Sequence, residues 1–187
     1  RVGLKVISDE PYFEHTRRVL MVPWHAKQKV LLAVIEEAKG RLLPAEVKDW
    51  TLMIHAPVNE IIPGLPDHGI DPDVLAGLGF HRVFSGHYHN HKEVRPNVYS
   101  VGAMTHQTWG DIGSRAGYLI VNDESVQQFE TQAPKFLDME NLEDDQFDLI
   151  ADNYVRAKIE ITKEREIADF REMLINELGA AAALIIP

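Results

Sequence analysis

Apolar residues recur along this chain at two different spacings. From Ala26 to Lys39, AKQKVLLAVIEEAK sets Val30, Leu31, Val34, Ile35 and Ala38 three or four apart, which predicts an amphipathic helix stopped by Gly40. Short β-branched runs bounded by proline or polar residues predict strands at VGLKVIS (2–8) and RRVLMVPW (17–24), with SDEPYFEH between them as a turn. DWTLMIHAPV (49–58) reads as a buried strand running into a loop at His55, and NEIIPGLPDHG prolongs that loop. DPDVLAGLG (71–79) predicts a short helix, with Asp71 as its cap, Pro72 in its first turn and Gly79 at its end. HRVFSGH (81–87) is a further strand that stops at histidines.

NVYSVGA (97–103), AGYLIVND (116–123) and SVQQFET (125–131) follow as strands, the last two joined by a tight Asn-Asp-Glu turn. PKFLDMENLEDDQFD (134–148) is acidic, opens on proline and reads as a linker. After it come a strand YVRAKIEIT (154–162), a helix KEREIADFREMLINELG (163–179) and a strand AAAALIIP, which together make a βαβ unit. The expected organisation is a layered α/β (α+β) core over residues 1–133, an acidic linker over 134–152 and a small second domain beginning at 153.

Composition narrows the chemistry. At 187 residues and 45% hydrophobic content, the chain can bury a sizeable core. It contains no run of about 18 apolar residues and no signal-like N-terminus, so the expectation is a soluble, cytoplasmic protein with no membrane span. Cysteine is absent, which rules out disulfides, thiolate zinc sites and cysteine nucleophiles. Any metal must then be held by His, Asp, Glu or Asn, a set that suits manganese, iron, magnesium or a catalytic zinc. The net charge of -10 argues against a broad basic groove, so a phosphate substrate would need metals or a local patch. The chain opens on Arg1 and closes on an apolar run, which reads as a fragment at both ends.

Isolated histidines are mostly structural or exposed, and His15, His25, His68 and His81 are read that way. FSGHYHNHKEV (84–94) differs, because it sets His87, His89 and His91 at alternate positions directly after a strand and Gly86. Two imidazoles one residue apart can converge on one metal or on two adjacent metals, or can stand in an exposed polar loop. Gly86 allows the close backbone approach that a packed metal site needs. His55 ends another strand some thirty residues earlier, and strand ends gathered on one sheet edge are where α/β proteins build sites.

IHAPV (54–58), GHYH (86–89), VYSVGAMTHQTWGD (98–111) and GYLIV (117–121) together resemble the last two metal motifs and following sheet of calcineurin-like metallophosphoesterases. The likeness is to the SbcD-type DNA repair nucleases and their phage counterparts, with Gly102, Trp109-Gly110-Asp111 and Gly117-Tyr118 in the family's later positions. The resemblance spans roughly residues 15 to 187, with the last βαβ unit as the start of that family's capping domain. It implies a metallophosphoesterase sandwich and a divalent metal pair, manganese first, with iron, zinc or magnesium as alternatives. It implies His55 and His87 as ligands of one metal and His89 as a ligand of the other, and leaves His91 and His106 without a role. Such a pair orients a phosphodiester and activates water. The implied partners are DNA and an SMC-like ATPase, and a homodimer is a further expectation for the chain.

The family's earlier motifs, Asp-x-His, Gly-Asp with the bridging aspartate and Asn-His with the acid histidine, do not occur here in order. The Gly-Asp is Gly110-Asp111, after GHYH, and the Asn-His is Asn90-His91, inside the histidine loop. The expectation is therefore the C-terminal portion of a two-metal phosphodiesterase or nuclease, inactive alone and needing a missing N-terminal half. Its catalytic acid and substrate-binding residues are unassigned.

Two rival readings use the same residues. His87, His89 and Glu93 meet the H-x-H-x3-E part of the cupin pattern, which binds one metal inside a β-barrel. Alternatively the chain is a non-catalytic scaffold that binds a partner through the stripe Ile167, Phe170, Met173, Leu174 and Leu178, a spacing that core helices share. Trp109 and Arg115 read equally well as substrate contacts or as packing and surface residues, and the mixed charges from Lys163 to Glu172 as a solvated face.

Overall fold

The computed structural model describes residues 5–140 and 144–187, with side chains outside 144–146. The fold is mixed α/β. In chain order it contains β1 (Tyr12–Glu14), β2 (Val19–Met21), α1 (Gln28–Lys39), β3 (Thr51–His55), α2 (Pro72–Gly77) and β4 (Arg82–Gly86). There follow β5 (Lys92–Arg95), β6 (Val98–Ser100), β7 (Gly117–Val121), β8 (Val126–Glu130), β9 (Phe136–Glu140), β10 (Tyr154–Lys158), α3 (Arg165–Glu172) and β11 (Ala182–Ile186). Among the described residues no helix is long and apolar enough to cross a membrane.

The chain forms two compact units, Arg1–Ala103 with Val121–Gln128, and Met104–Ile120 with Phe129–Pro187. The first is built on a six-stranded sheet in the order β1-β2-β3-β4-β6-β5. Its four central strands run parallel, and β1 and β5 lie antiparallel on the two edges. The sheet is therefore open, whereas the cupin pattern needs a closed barrel. Strand β3 buries Leu52 and Ile54 and leaves Met53 and His55 exposed, so its alternate residues face the core. Leu20, Leu52, Val83 and Val98 are sealed from solvent, and α1 lays Leu31, Ile35 and Ala38 against them at i, i+4 and i+7. Val30, expected on that face, is 43% exposed, so the helix buries a narrower stripe than its spacing predicts.

Helix α2 starts as expected: the Asp71 side chain accepts the Asp73 amide at 2.8 Å, and Pro72 occupies the first turn. Two expectations near the N-terminus change. Part of the strand predicted at 2–8 lies outside the described residues, and residues 5–8 are not a strand. The segment expected to be a turn instead contains β1, which pairs Phe13 with Leu20 on the edge of the sheet.

In the second unit β9, β10 and β11 form a parallel sheet, with α3 and a following π-type turn (Met173–Glu177) between β10 and β11. Met139, Ile150, Val155, Ala157, Leu174 and Ile185 make its core. The segment expected as an acidic linker, 134–152, is corrected here. It contains strand β9 and the six-residue 3-10 helix Asp144–Leu149, and Ile150 is fully buried. The acids of β9 face basic partners in register on β10, Asp138 opposite Arg156 and Glu140 opposite Lys158, and both pairs are bonded. Cross-strand pairs of opposite charge let an acidic segment serve as a strand.

The remaining two-stranded sheet is the hairpin β7–β8. Its turn is fixed by Asn122, whose side-chain oxygen accepts the amides of Glu124 and Ser125 at 2.9 and 2.8 Å. Buried Arg82, at the start of β4, donates to the carbonyls of Asn122 and Asp123.

Candidate metal centre

In a parallel sheet all C-terminal strand ends reach the same edge, so β2, β3, β4 and β6 deliver their following loops together. The register sets His55 opposite Gly86 on adjacent strands, and His87 is the next residue. A Cβ at position 86 would stand 3.0 Å from His55 Nδ1, so the glycine leaves the room that the imidazole occupies. The rings of His55 and His87 lie 5.6 Å apart, centre to centre, and nearly perpendicular at 81°. Both residues are exposed.

His87 adopts φ of +131°, a region that side-chain-bearing residues rarely enter. Held strain of this kind clusters at functional positions. Tyr88 packs its ring 5.1 Å from that of His87. The chain then turns back. Ala103 donates to the His89 carbonyl at 3.0 Å, and His91 Nδ1 binds the Ser100 carbonyl at 2.7 Å. A carbonyl only accepts, so His91 Nδ1 carries the proton and the ring is tied to β6.

The structure thus brings His55 and His87 together. His89 sits two residues further along the same loop, half-buried, and among the described residues no three His, Asp or Glu side chains converge as a metal-holding group. His55 and His87 offer a divalent ion two imidazole nitrogens, which is an incomplete ligand set. Glu93 is exposed on β5, with no such group around it.

Electrostatics favour the ligand form of His87. Partial desolvation lowers its pKa first, and the nearby imidazoles of His55, His68 and His89 lower it further. For a base depressed in the folded state, the folded protein binds fewer protons than the unfolded one, so stability falls as pH falls. The loss starts near the ordinary imidazole value of about 6.5 and is complete below the depressed pKa of His87. Thermal melts of the metal-free protein from pH 7.5 to 5 should show this acid loss, and His87→Ala should make it shallower. An unchanged acid limb in the variant would contradict the assignment.

A neighbouring loop borders the pair. The bridge Val58–Ile70 closes the segment between β3 and α2, and the Asn59 side-chain oxygen accepts the Gly69 amide at 2.7 Å. Arg95 on β5 holds the loop and α2, binding Glu60 through both Nη atoms at 3.0 Å and Asp73 through Nε at 2.6 Å. Its hydrogen bonds lower the pKa of both carboxyls and raise that of the guanidinium. Near the end of this loop His68 binds the Tyr88 hydroxyl at 2.9 Å through Nε2 and the Pro66 carbonyl at 2.8 Å through Nδ1. On sequence alone His68 counts among the histidines that are structural or exposed. A lone histidine in a proline-rich loop carries no periodic signal, and only tertiary pairing reveals its neighbours.

Other candidates resolve as packing. Trp109 lies edge-on to Phe136 at 4.7 Å with the Arg156 guanidinium over its ring, and Arg115 pairs with Glu130 at 3.5 Å. His106 is buried, bonded to the Ser114 carbonyl through Nε2 and to the Phe136 amide through Nδ1. Asp111 is also buried and accepts the Gln107 and Thr108 amides at 2.8 Å each, closing a capping box. The partly buried Ile167, Phe170, Met173 and Leu178 pack on the second core around buried Leu174, so the helix stripe is used inside its own unit.

No protein-family model matches the chain, and no curated protein matches it.

Proposed function

We propose that this chain is the C-terminal portion of a two-metal phosphodiesterase of the calcineurin-like metallophosphoesterase type, resembling the SbcD-type nucleases. The observation that carries the reading is the meeting of His55 and His87 at the ends of adjacent parallel strands, rings 5.6 Å apart. In this reading the six-stranded sheet is one layer of the family's sandwich, and the β9–β11 unit begins its capping domain. His55 and His87 hold one divalent ion, manganese first, and His89 contributes to the other. When bound, the metals supply Lewis-acid activation of water and neutralise phosphate charge. The chain's own part is to bring two exposed imidazoles side by side at one sheet edge. The remaining ligands come from polypeptide outside these 187 residues, and the substrate is DNA, handled in the cytoplasm with an SMC-like ATPase.

Manganese titration tests this with and without an added polypeptide carrying Asp-x-His, Gly-Asp and Asn-His motifs. The chain alone should bind Mn2+ weakly and hydrolyse little bis-p-nitrophenyl phosphate. With the added segment it should bind two Mn2+ ions and hydrolyse the ester, and His87→Ala should abolish the gain. Full-rate hydrolysis by the chain alone would refute the missing-ligand argument. The second reading is a non-catalytic scaffold of similar architecture. No Mn2+ uptake even with the added segment decides for it.

A further inference from the structure

His55, His87, Tyr88 and His68 form a continuous row of rings. Successive centroids lie 5.6, 5.1 and 6.3 Å apart, and successive planes cross at 81°, 72° and 89°. The far end of this row is polar and its hydrogen-bond directions are determined. His68 Nδ1 faces a carbonyl at 2.8 Å and must donate to it. In the neutral ring Nε2 is then an acceptor, so the Tyr88 hydroxyl donates to it across 2.9 Å. The Tyr88 oxygen keeps its lone pairs, and its single proton is held on the side where His68 stands.

The loop that carries His68 is anchored independently of Tyr88. Gln28, the first residue of α1, donates to the His68 carbonyl, Asn59 accepts the Gly69 amide, and Ile61 and Ile70 are buried. His68 and Glu60 are exposed, while Tyr88 is half-buried beside His87. A phenol packed against one imidazole of the ligand pair and hydrogen-bonded to a histidine outside that pair needs a reason beyond packing. An exposed bond between two rings contributes little stability by itself.

We infer that the Tyr88 hydroxyl is a substrate contact, donating to a non-bridging phosphate oxygen of the ester, and that His68 is the resting acceptor from which it is released. This rests on the proposed phosphodiesterase reading, and it adds the protein's own donor to a phosphate otherwise held by metal. In the free protein the O–H is parked on His68 Nε2. On arrival of a phosphate it turns to the anion, a stronger acceptor, because charged partners make the stronger hydrogen bonds. The class of ligand is a phosphate monoester or diester, or inorganic phosphate as its simplest probe.

Two titrations on the 187-residue chain separate this inference from the reading beneath it. Mn2+ binding by the unaltered protein reads the metal centre. Inorganic phosphate, added with and without Mn2+ and followed through the ring nitrogen resonances of His68, reads the pair. Phosphate should shift the His68 Nε2 resonance as it loses the Tyr88 donor. Tyr88→Phe should weaken phosphate about tenfold with unchanged Mn2+ affinity and unchanged melting temperature. His68→Ala, which removes the competing acceptor, should tighten phosphate by a small factor, and His68→Gln, whose side-chain oxygen can accept the same bond, should return the affinity to that of the parent. A Tyr88→Phe variant that binds phosphate like the parent, or a His68 resonance that phosphate leaves unmoved, overturns the inference even where Mn2+ binds normally. Phosphate binding that depends on Tyr88 in a chain that takes up no Mn2+ would sustain the phosphate contact and refute the metal reading.

Discussion

Glycine in place of His87 is expected to make the metal-free protein more stable by about 1 kcal/mol and to cut its Mn2+ affinity by at least about 100-fold. The two effects have separate physical origins. His87 holds φ of +131°, and backbone in such a region costs roughly 1–3 kcal/mol when a Cβ is present. Glycine enters it freely but loses more chain entropy on folding, about 0.5–1 kcal/mol, which offsets part of the gain. The contact with the Tyr88 ring is also lost, and His87 is exposed enough for that loss to be small.

The affinity loss follows from removing a nitrogen ligand. Loss of an outer partner of a ligand already costs about 10–100-fold, so loss of the ligand itself should reach the top of that range or pass it. His87→Ala supplies the control, since it removes the imidazole and keeps the Cβ. It should match glycine in Mn2+ binding and gain none of the strain relief. Urea melts with chelator present, read beside Mn2+ titrations, check both. If His87→Gly destabilises the metal-free protein more than His87→Ala does, the strained backbone is there for folding and not for the metal.

The elements that show in the sequence are those whose determinants are local. Helix α1 declares itself by Leu31, Ile35 and Ala38, helix α2 by its Asp71 cap and Pro72, and the β7–β8 turn by Asn122. Strand β9 does not, because Asp138 and Glu140 break its apolar character. Their neutralising partners, Arg156 and Lys158, stand 18 residues further along, where only pairing of β9 with β10 joins them. Strand β1 hides for a similar reason. It is three residues long at the sheet edge, and Phe13 becomes a strand residue by packing near Trp50 at 5.9 Å.

The same rule divides the candidate site. His55 and His87 are legible because each ends a recognisable strand, and parallel pairing of β3 with β4 does the rest. His68 is invisible because its place depends on how a proline-rich loop closes between Val58 and Ile70. His91 looks equivalent to its neighbours in GHYHNH and is not, since its Nδ1 proton is committed to the Ser100 carbonyl. Alternation of histidines marks a loop rich in donors.

Alanine at position 102 is expected to destabilise the first unit by about 2–5 kcal/mol and to disorganise the histidine loop with it. Gly102 follows β6 with φ of +81°, where an L side chain costs roughly 1–2 kcal/mol. A Cβ there would lie 2.9 Å from the His91 amide nitrogen and 3.1 Å from the His89 carbonyl oxygen. Both are backbone atoms, so no side chain can swing aside, and forced overpacking adds roughly 1–3 kcal/mol. The shift that relieves the clash moves the loop segment carrying His89 and His91 away from the end of β6. It thereby loosens the Ala103–His89 hydrogen bond that closes the loop. Gly79→Ala isolates the clash: φ is +83° in the same unit and nothing lies within 4 Å of the added Cβ, so only the conformational cost of about 1–2 kcal/mol should appear. Urea denaturation should therefore rank the parent above Gly79→Ala and Gly79→Ala above Gly102→Ala, with Mn2+ affinity reduced in the last alone. Equal losses in the two variants would mean that the loop yields without cost, and that close packing on Gly102 does not hold the histidines in place.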